Sequence, residues 1–440
     1  MNLNSNFEGM NRSCEPYVIS LVLGKVFNSN YIMTIQKLLF VGIILCYSAS
    51  GFTQSWTQKA SLPDTTFGRH HAVTFSIGGY GYLLGGSALQ NPYLSDFYRY
   101  DPVADQWEAL PAFPGPPRSY AYAVVYNDKA YMGFGFGPTS DMTDLWEYDP
   151  ATGIWTERTA CDCDGRGHPA LMEANGKIYV GAGGSAMGNL NDFWEYDIQT
   201  DKWTQKPDLP SYKRHHPYHF SINGMVYIAF GHGSVNVGGS TIYNDLHRFD
   251  PLTNTWERME DFPGEKRVAG TQFSWNGKGY VLSGEGEDHY YLEEGEFWEY
   301  TPEQDSWKQL ASWPGSGRWA PSSFVIGNTV YATSGTALLS DGSSENMKDL
   351  WAYEFPAPSA TNNPLVQEIQ VFPNPVVDQL ILDAEVGPEF AYRILNTSGQ
   401  AVQIGVVANQ QLLLNNLPKG IYTIQLISGE KQFQGRFVKA

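Results

Sequence analysis

Arg118-Ser-Tyr-Ala-Tyr-Ala-Val-Val-Tyr126-Asn127-Asp128-Lys-Ala-Tyr131, followed by Asp144-Leu-Trp-Glu-Tyr148-Asp149 and then Trp155, is the stretch that decides the architecture. Its first half is a pair of alternating apolar runs around an Asn-Asp step, which favours positive φ and closes a tight hairpin. An Arg with a Tyr thirteen residues downstream occurs six times, at Arg69/Tyr82, Arg118/Tyr131, Arg166/Tyr179, Arg214/Tyr227, Arg267/Tyr280 and Arg318/Tyr331. An acidic-aromatic run recurs with it, over Asp96 to Asp101, Asp144 to Asp149, Asp192 to Asp197, Asp245 to Asp250, Glu296 to Thr301 and Asp349 to Glu354. The period is about fifty residues, and a fixed spacing at such a period marks a repeated structural unit.

A Trp stands six residues after Asp101, Asp149, Asp197, Asp250 and Thr301, at Trp107, Trp155, Trp203, Trp256 and Trp307. The sixth Trp is Trp56, ahead of the first unit. A unit split between the two ends of an array is how a ring closes, so the last sheet takes its outer strand from the N-terminal side. Each unit reads as a four-stranded antiparallel sheet: an inner strand after the Arg, a second with the Tyr, a third on the acidic-aromatic run and a fourth with the Trp. A lone sheet exposes both apolar faces, whereas radial stacking buries them and leaves only short edges. The expected fold is all-β: a six-bladed propeller over residues 55–356, closed by an N-terminal strand, and then a small β-sandwich. The Gly-rich second strand, the Tyr-Asp step and the Trp at these distances resemble kelch repeats, over roughly residues 54 to 356. The full doublet directly after the second strand is read only in the first unit, at Gly85-Gly86, with Gly183-Gly184 read as later in the third.

The composition of 14% aromatic residues, 45 Gly and 26 Pro suits an all-β chain with many turns. Upstream, Lys37 precedes the apolar run Leu38 to Leu45 and the small residues Ser48 to Gly51, so residues 33–54 read as a signal peptide and residues 1–32 as an extension ahead of the true start at Met33. The apolar run is too short to span a membrane, and no later one is long enough. Residues 357–367, with Pro, Asn and Ser and no hydrophobic period, read as a linker. Residues 368–440 carry short alternating strands between Gly and Pro turns. Their Pro373-Asn-Pro375, Leu417-Pro-Lys-Gly-Ile-Tyr422 and basic end resemble the C-terminal sorting domain of the type IX secretion system. That resemblance implies the type IX machinery as partner, export across the outer membrane, removal of the tail, and release or surface attachment.

With a formal net charge of −18, the chain is a poor partner for nucleic acid. Downstream of the leader the only cysteines are Cys161 and Cys163, which read as a small disulfide or, with His168 or the flanking Asp162 and Asp164, as part of a soft-metal shell. The six Arg, at the starts of the inner strands, are expected to ring the channel mouth on one loop face with His70, His71, His168, His215, His216, His219, Tyr120 and Trp319. A mouth of Arg69, Arg118, Arg166, Arg214, Arg267 and Arg318 suits a carboxylated or sulfated ligand; the competing reading has each Arg tying blades together. The irregular Arg-His-His triplets at 69–71 and 214–216 stand out as site candidates. The acidic loop Gly284-Glu-Gly-Glu-Asp288-His289, with Glu293, Glu294 and Glu296, offers calcium ligands or a general base.

No Gly-x-Ser-x-Gly, phosphate loop or His-Glu-x-x-His appears. The leading expectation is an exported, non-catalytic module that binds glycan or protein at its loop face, with no cofactor unless calcium. The alternative rests on a resemblance, in blade number, to the N-acetylneuraminate epimerase (mutarotase) family, which implies a sugar-acid isomerase. No residue is carried over from that family; in this chain an Arg would anchor the carboxylate and a His or a Glu, Glu285 or Glu287, would move a proton.

Overall fold

A computed structural model describes residues 55–234, 240–356, 366–383, 386–387, 390–396, 401–407, 410–414, 417–428 and 431–440. The expected upstream extension, the signal peptide up to residue 54, and most of the linker lie outside the described residues.

Six four-stranded antiparallel sheets form between Trp56 and Glu354. Blade 1 runs Val73–Ile77, Tyr80–Leu84, Phe97–Asp101 and Gln106–Leu110. Blades 2 to 5 repeat that order from inner strands Tyr122–Tyr126, Ala170–Ala174, Tyr218–Ile222 and Thr271–Trp275. Blade 6 uses Ser322–Ile326, Thr329–Thr333 and Leu350–Glu354, and its outer strand is Trp56–Lys59 from the other end of the array. Trp56 pairs with Tyr353 in the register by which Trp107 pairs with Tyr100 and Trp155 with Tyr148. Inner strands of successive blades lie side by side, and that of blade 6 lies beside that of blade 1.

Aromatic side chains at the repeated positions fill the gaps between sheets. Phe75, Tyr82 and Phe97 of blade 1 pack with Tyr148 of blade 2, and Tyr331 and Leu350 of blade 6 pack with Tyr100 of blade 1. The Trp also reaches between blades: the indole N–H of Trp56 donates to the Ala311 carbonyl, and that of Trp107 to the Ala60 carbonyl.

One detail of the kelch pattern is corrected. The doublet after the second strand is present in every blade as a conformation, with Gly85, Phe134, Ala182, Phe230, Ser283 and Ser334 at φ between 53° and 64°. Each is followed by Gly86, Gly135, Gly183, Gly231, Gly284 or Gly335 at φ of 84° to 120°. Only the second position demands glycine, and it lies seventeen residues after the Arg in all six units. A Cβ on Gly135 would stand 2.6 Å from the Ser119 carbonyl oxygen, and its N–H donates to the Arg166 carbonyl of the next blade at 2.8 Å. The Gly335 N–H donates likewise to the Arg69 carbonyl, joining the last blade to the first.

The tail has a five-stranded and a three-stranded sheet, the former centred on the Gly420–Ser428 and Lys431–Lys439 hairpin. Between them lies a separate apolar core that includes Val376, Leu380, Ile394, Leu412, Leu414 and Ile424. Among the described residues there is no α-helix, and hence none long and apolar enough to cross a membrane.

Candidate functional site

The six Arg sit where the inner strands begin, yet they do not ring an open mouth. All are buried, and each guanidinium meets the carboxylate that opens the third strand of its own blade: Asp96, Asp144, Asp192, Asp245, Glu296 and Asp349. Five pairs are two-pronged, as in Arg118 to Asp144 at 2.7 and 2.6 Å. The match of the planar fork to the carboxylate explains why Arg recurs there. In four blades the indole N–H of a Trp two residues on, such as Trp146 on Asp144, adds a further donor; in blade 4 His247 takes that place on Asp245. An aromatic face covers the cation in five blades, Trp313 over Arg318 at 4.1 Å being the nearest. All six guanidiniums are buried and ion-paired within their blades, with Arg267 Nη1 left without a hydrogen-bond partner among the described residues, and the expectation of a basic mouth is corrected accordingly.

Two residues beyond each Arg the chain makes a tight left-handed step, with His71, Tyr120, His168, His216, Ala269 and Ala320 at φ between 48° and 62°. A side chain in this region strains the backbone, and strain of this kind gathers at functional sites. Three hydrogen bonds join neighbouring steps around the axis: the His71 N–H donates to the Ala320 carbonyl, the Ala320 N–H to Ala269, and the His168 N–H to Tyr120. The repeat therefore brings six equivalent side chains to the axis, and three of them are imidazoles.

His71, His168 and His216 each offer a ring nitrogen, and these lie within 4.8 Å of one another. His71 Nε2 is 2.9 Å from His216 Nε2, and the His168 and His216 rings are 3.4 Å apart between centres. All three are buried, and no hydrogen-bond partner meets His168 Nδ1 or His216 Nδ1. An unpaired buried polar atom of this kind costs about 1–3 kcal/mol. Burial, and secondarily the neighbouring imidazoles, hold all three well below the usual imidazole range, so they are neutral at physiological pH.

Around this centre stand His70, whose Nδ1 is 2.6 Å from His71 Nδ1, and Trp319, whose ring lies tilted 4.5 Å from that of His70. Tyr120 packs at 4.1 and 4.2 Å from the His71 and His168 rings. His215 bonds Asn189 and extends outward through His232 and Ser240 to His289. Burial lowers His70 and His215 to about 4. Beneath the imidazoles lies a channel cavity of about 360 Å³, lined in part by His71, His216 and His219. A groove of about 770 Å³ borders His70 on the other side, between blades 6 and 1, lined by Phe67, Ser87, Gln90, Ser344 and Asn346 among others.

The remaining candidates are placed elsewhere. Cys161 and Cys163 are bonded to each other, so His168 has no thiolate partner there. In the acidic loop Glu287 pairs with Lys266, Glu294 with the Ser312 hydroxyl and Glu296 with Arg267. Glu285 is pushed up to about 7, chiefly by burial and then by Asp288. Among the described residues, the three imidazoles are the one group of three or more His, Cys, Asp or Glu close enough to share an ion. Asn189, His232, Ser240 and the Phe67 groove were not picked out from sequence, since they lie on loops that follow no fixed spacing.

The sheets, their ring order and the bonded first and last blades define a kelch-type β-propeller. The chain belongs to the Attractin/LZTR1 β-propeller family, whose profile matches residues 81–337. Residues 370–440 match the secretion system C-terminal sorting domain, which makes this an exported protein carried by the type IX machinery to the cell surface or beyond. A solved structure described as that of YjhT superposes with a TM-score of 0.50 at 18% identity, covering 58% of this chain and 87% of its own; at that identity the likeness is one of fold. No curated protein matches the sequence.

Proposed function

We propose that the exported propeller is a recognition module whose loop face binds a largely uncharged glycan. The observation that carries this reading is the withdrawal of all six guanidiniums into intrablade ion pairs. What remains at the mouth is a set of rings, His70, Trp319, Tyr120 and His215, beside a groove with many hydroxyl and amide side chains and Phe67 half exposed; of its charged residues, Lys348 pairs with Asp64 and Asp349 with Arg318, and Glu345 is exposed. Sugars are held by such a combination: C–H faces on aromatic rings, hydroxyls on short polar side chains.

The test is a titration of the full chain against neutral and carboxylated oligosaccharides, with Phe67→Ala and Trp319→Ala alongside. Saturable binding of neutral sugars, weakened about tenfold in either variant at unchanged melting temperature, is expected. Preference for carboxylated sugars would contradict it. One observation favours the sugar-acid isomerase as a second reading: Glu285, on the same face and raised to about 7, is suited to moving a proton near neutrality. Accelerated anomeric exchange by NMR, lost in Glu285→Gln, would select that reading.

A further inference from the structure

We propose that His71, His168 and His216 form a binding site for a late first-row divalent metal ion, of the class of Zn²⁺ or Cu²⁺, on the propeller axis. Imidazole nitrogens suit these ions. A tetrahedral ion about 2.0–2.1 Å from each nitrogen sets nitrogens roughly 3.3 Å apart. Here the 2.9 Å contact between His71 and His216 lies just inside that separation, and all three nitrogens are gathered within 4.8 Å.

The protonation pattern fits as well. The two Nδ1 atoms of His70 and His71, 2.6 Å apart, share one proton. With that proton on His71, its Nε2 carries a free lone pair, and His70 acts as the outer partner that orients a ligating imidazole. The His216 Nε2 proton that then bridges to His71 moves to His216 Nδ1 when an ion arrives, so that His216 stays a neutral imidazole and ligates through Nε2. A metal also gives a buried lone pair on His168 the partner it lacks. Among the described residues, no hydrogen bond or ion pair links the three imidazoles to a carboxylate or guanidinium, so no cation there competes for the nitrogens. Ala269 and Ala320 occupy the equivalent steps in blades 5 and 6, so the repeat itself does not require imidazole there. His71 and His216 also line the channel cavity, which leaves a fourth position for water or a ligand donor on that side, the arrangement of a reactive rather than a purely structural metal.

The experiment uses the untagged full chain, stripped with chelator and titrated calorimetrically with Zn²⁺, together with electron paramagnetic resonance of the Cu²⁺ form. Expected are about one equivalent bound and nitrogen hyperfine coupling from about three imidazoles. Affinity should fall roughly 100-fold or more in His168→Ala and stay within about threefold in His289→Ala, at the outer end of the histidine chain. Uptake well below one equivalent at ~100 µM Zn²⁺ would overturn the site, and so would wild-type affinity in His168→Ala. The resonance spectrum is read on the wild type, so a variant that fails to fold leaves the test intact: coupling from fewer than three imidazoles refutes the proposal.

Discussion

Two rings of residues two positions apart in every blade have opposite characters. The Arg ring is chemically uniform, buried and matched to carboxylates, whereas the ring two residues on shares one backbone conformation and carries His, Tyr, His, His, Ala and Ala. Uniformity over six blades is what scaffold geometry imposes, since each unit must close against the next in the same way. Variation on an identical backbone is free of that demand, so chemistry placed there serves something other than the fold.

The largest expected effect comes from breaking the uniform ring. Arg118→Met leaves the partly buried Asp144 without its cation and should lower stability by about 3–5 kcal/mol in chemical denaturation. A loss below about 1 kcal/mol would mean that the pair is not structural. Next comes the glycine that joins neighbouring blades. Gly135→Ala places a Cβ 2.6 Å from a backbone oxygen at φ 98°, whereas Gly153→Ala, at φ 71°, meets nothing within 4 Å. The first should cost about 2–4 kcal/mol and the second about 1, read as shifts in denaturation midpoint.

A third prediction separates the rings by pH. The unfolded chain holds its imidazoles near 6.5, while burial keeps His71, His168 and His216 neutral far below that and lowers His70 and His215 to about 4. Between pH 6.5 and 4 the unfolded state therefore binds more protons, and stability falls as pH falls, by about 1.4 kcal/mol per pH unit for each imidazole that stays neutral. Replacing His71, His168 and His216 with Ala should flatten this slope, and Arg118→Met should lower stability without changing it. The smallest effect is on stability at neutral pH: His168→Ala should stay within about 1 kcal/mol of wild type, because Ala269 and Ala320 already occupy the same step and an unpaired nitrogen is lost.

Much of the architecture was legible because a ring of repeats writes its geometry as spacing. The Arg, the acidic-aromatic run and the Trp fell at regular positions, and the displaced Trp56 marked the closing strand that pairs with Leu350–Glu354. The Arg and the acidic residue that opens the third strand were both visible as repeats, yet their pairing was not. They lie 26 to 31 residues apart across loops of different length, so no single interval links them. The glycine seventeen residues after each Arg did have a fixed interval and was missed because the doublet, rather than its second member, was sought.

At the site, His71, His168 and His216 were among the candidates, but the sequence could not rank them above His70 and His215. That distinction arises from the left-handed step at the second residue after the Arg, which turns this side chain to the axis. A hairpin signal reports such a conformation when Gly or Asn carries it, and here His, Tyr and Ala do.

The most direct test compares neighbours from the two rings on one scale: Arg69→Met against His71→Ala, each measured for melting temperature and for Zn²⁺ uptake. Arg69 is the mildest place to break the first ring, since Asp96 is a third exposed. The account predicts that Arg69→Met melts several degrees lower and still takes up about one equivalent, while His71→Ala melts near wild type and loses the ion. An Arg69→Met protein that keeps its melting temperature, or a His71→Ala protein that keeps its metal, would contradict the division of labour between the rings.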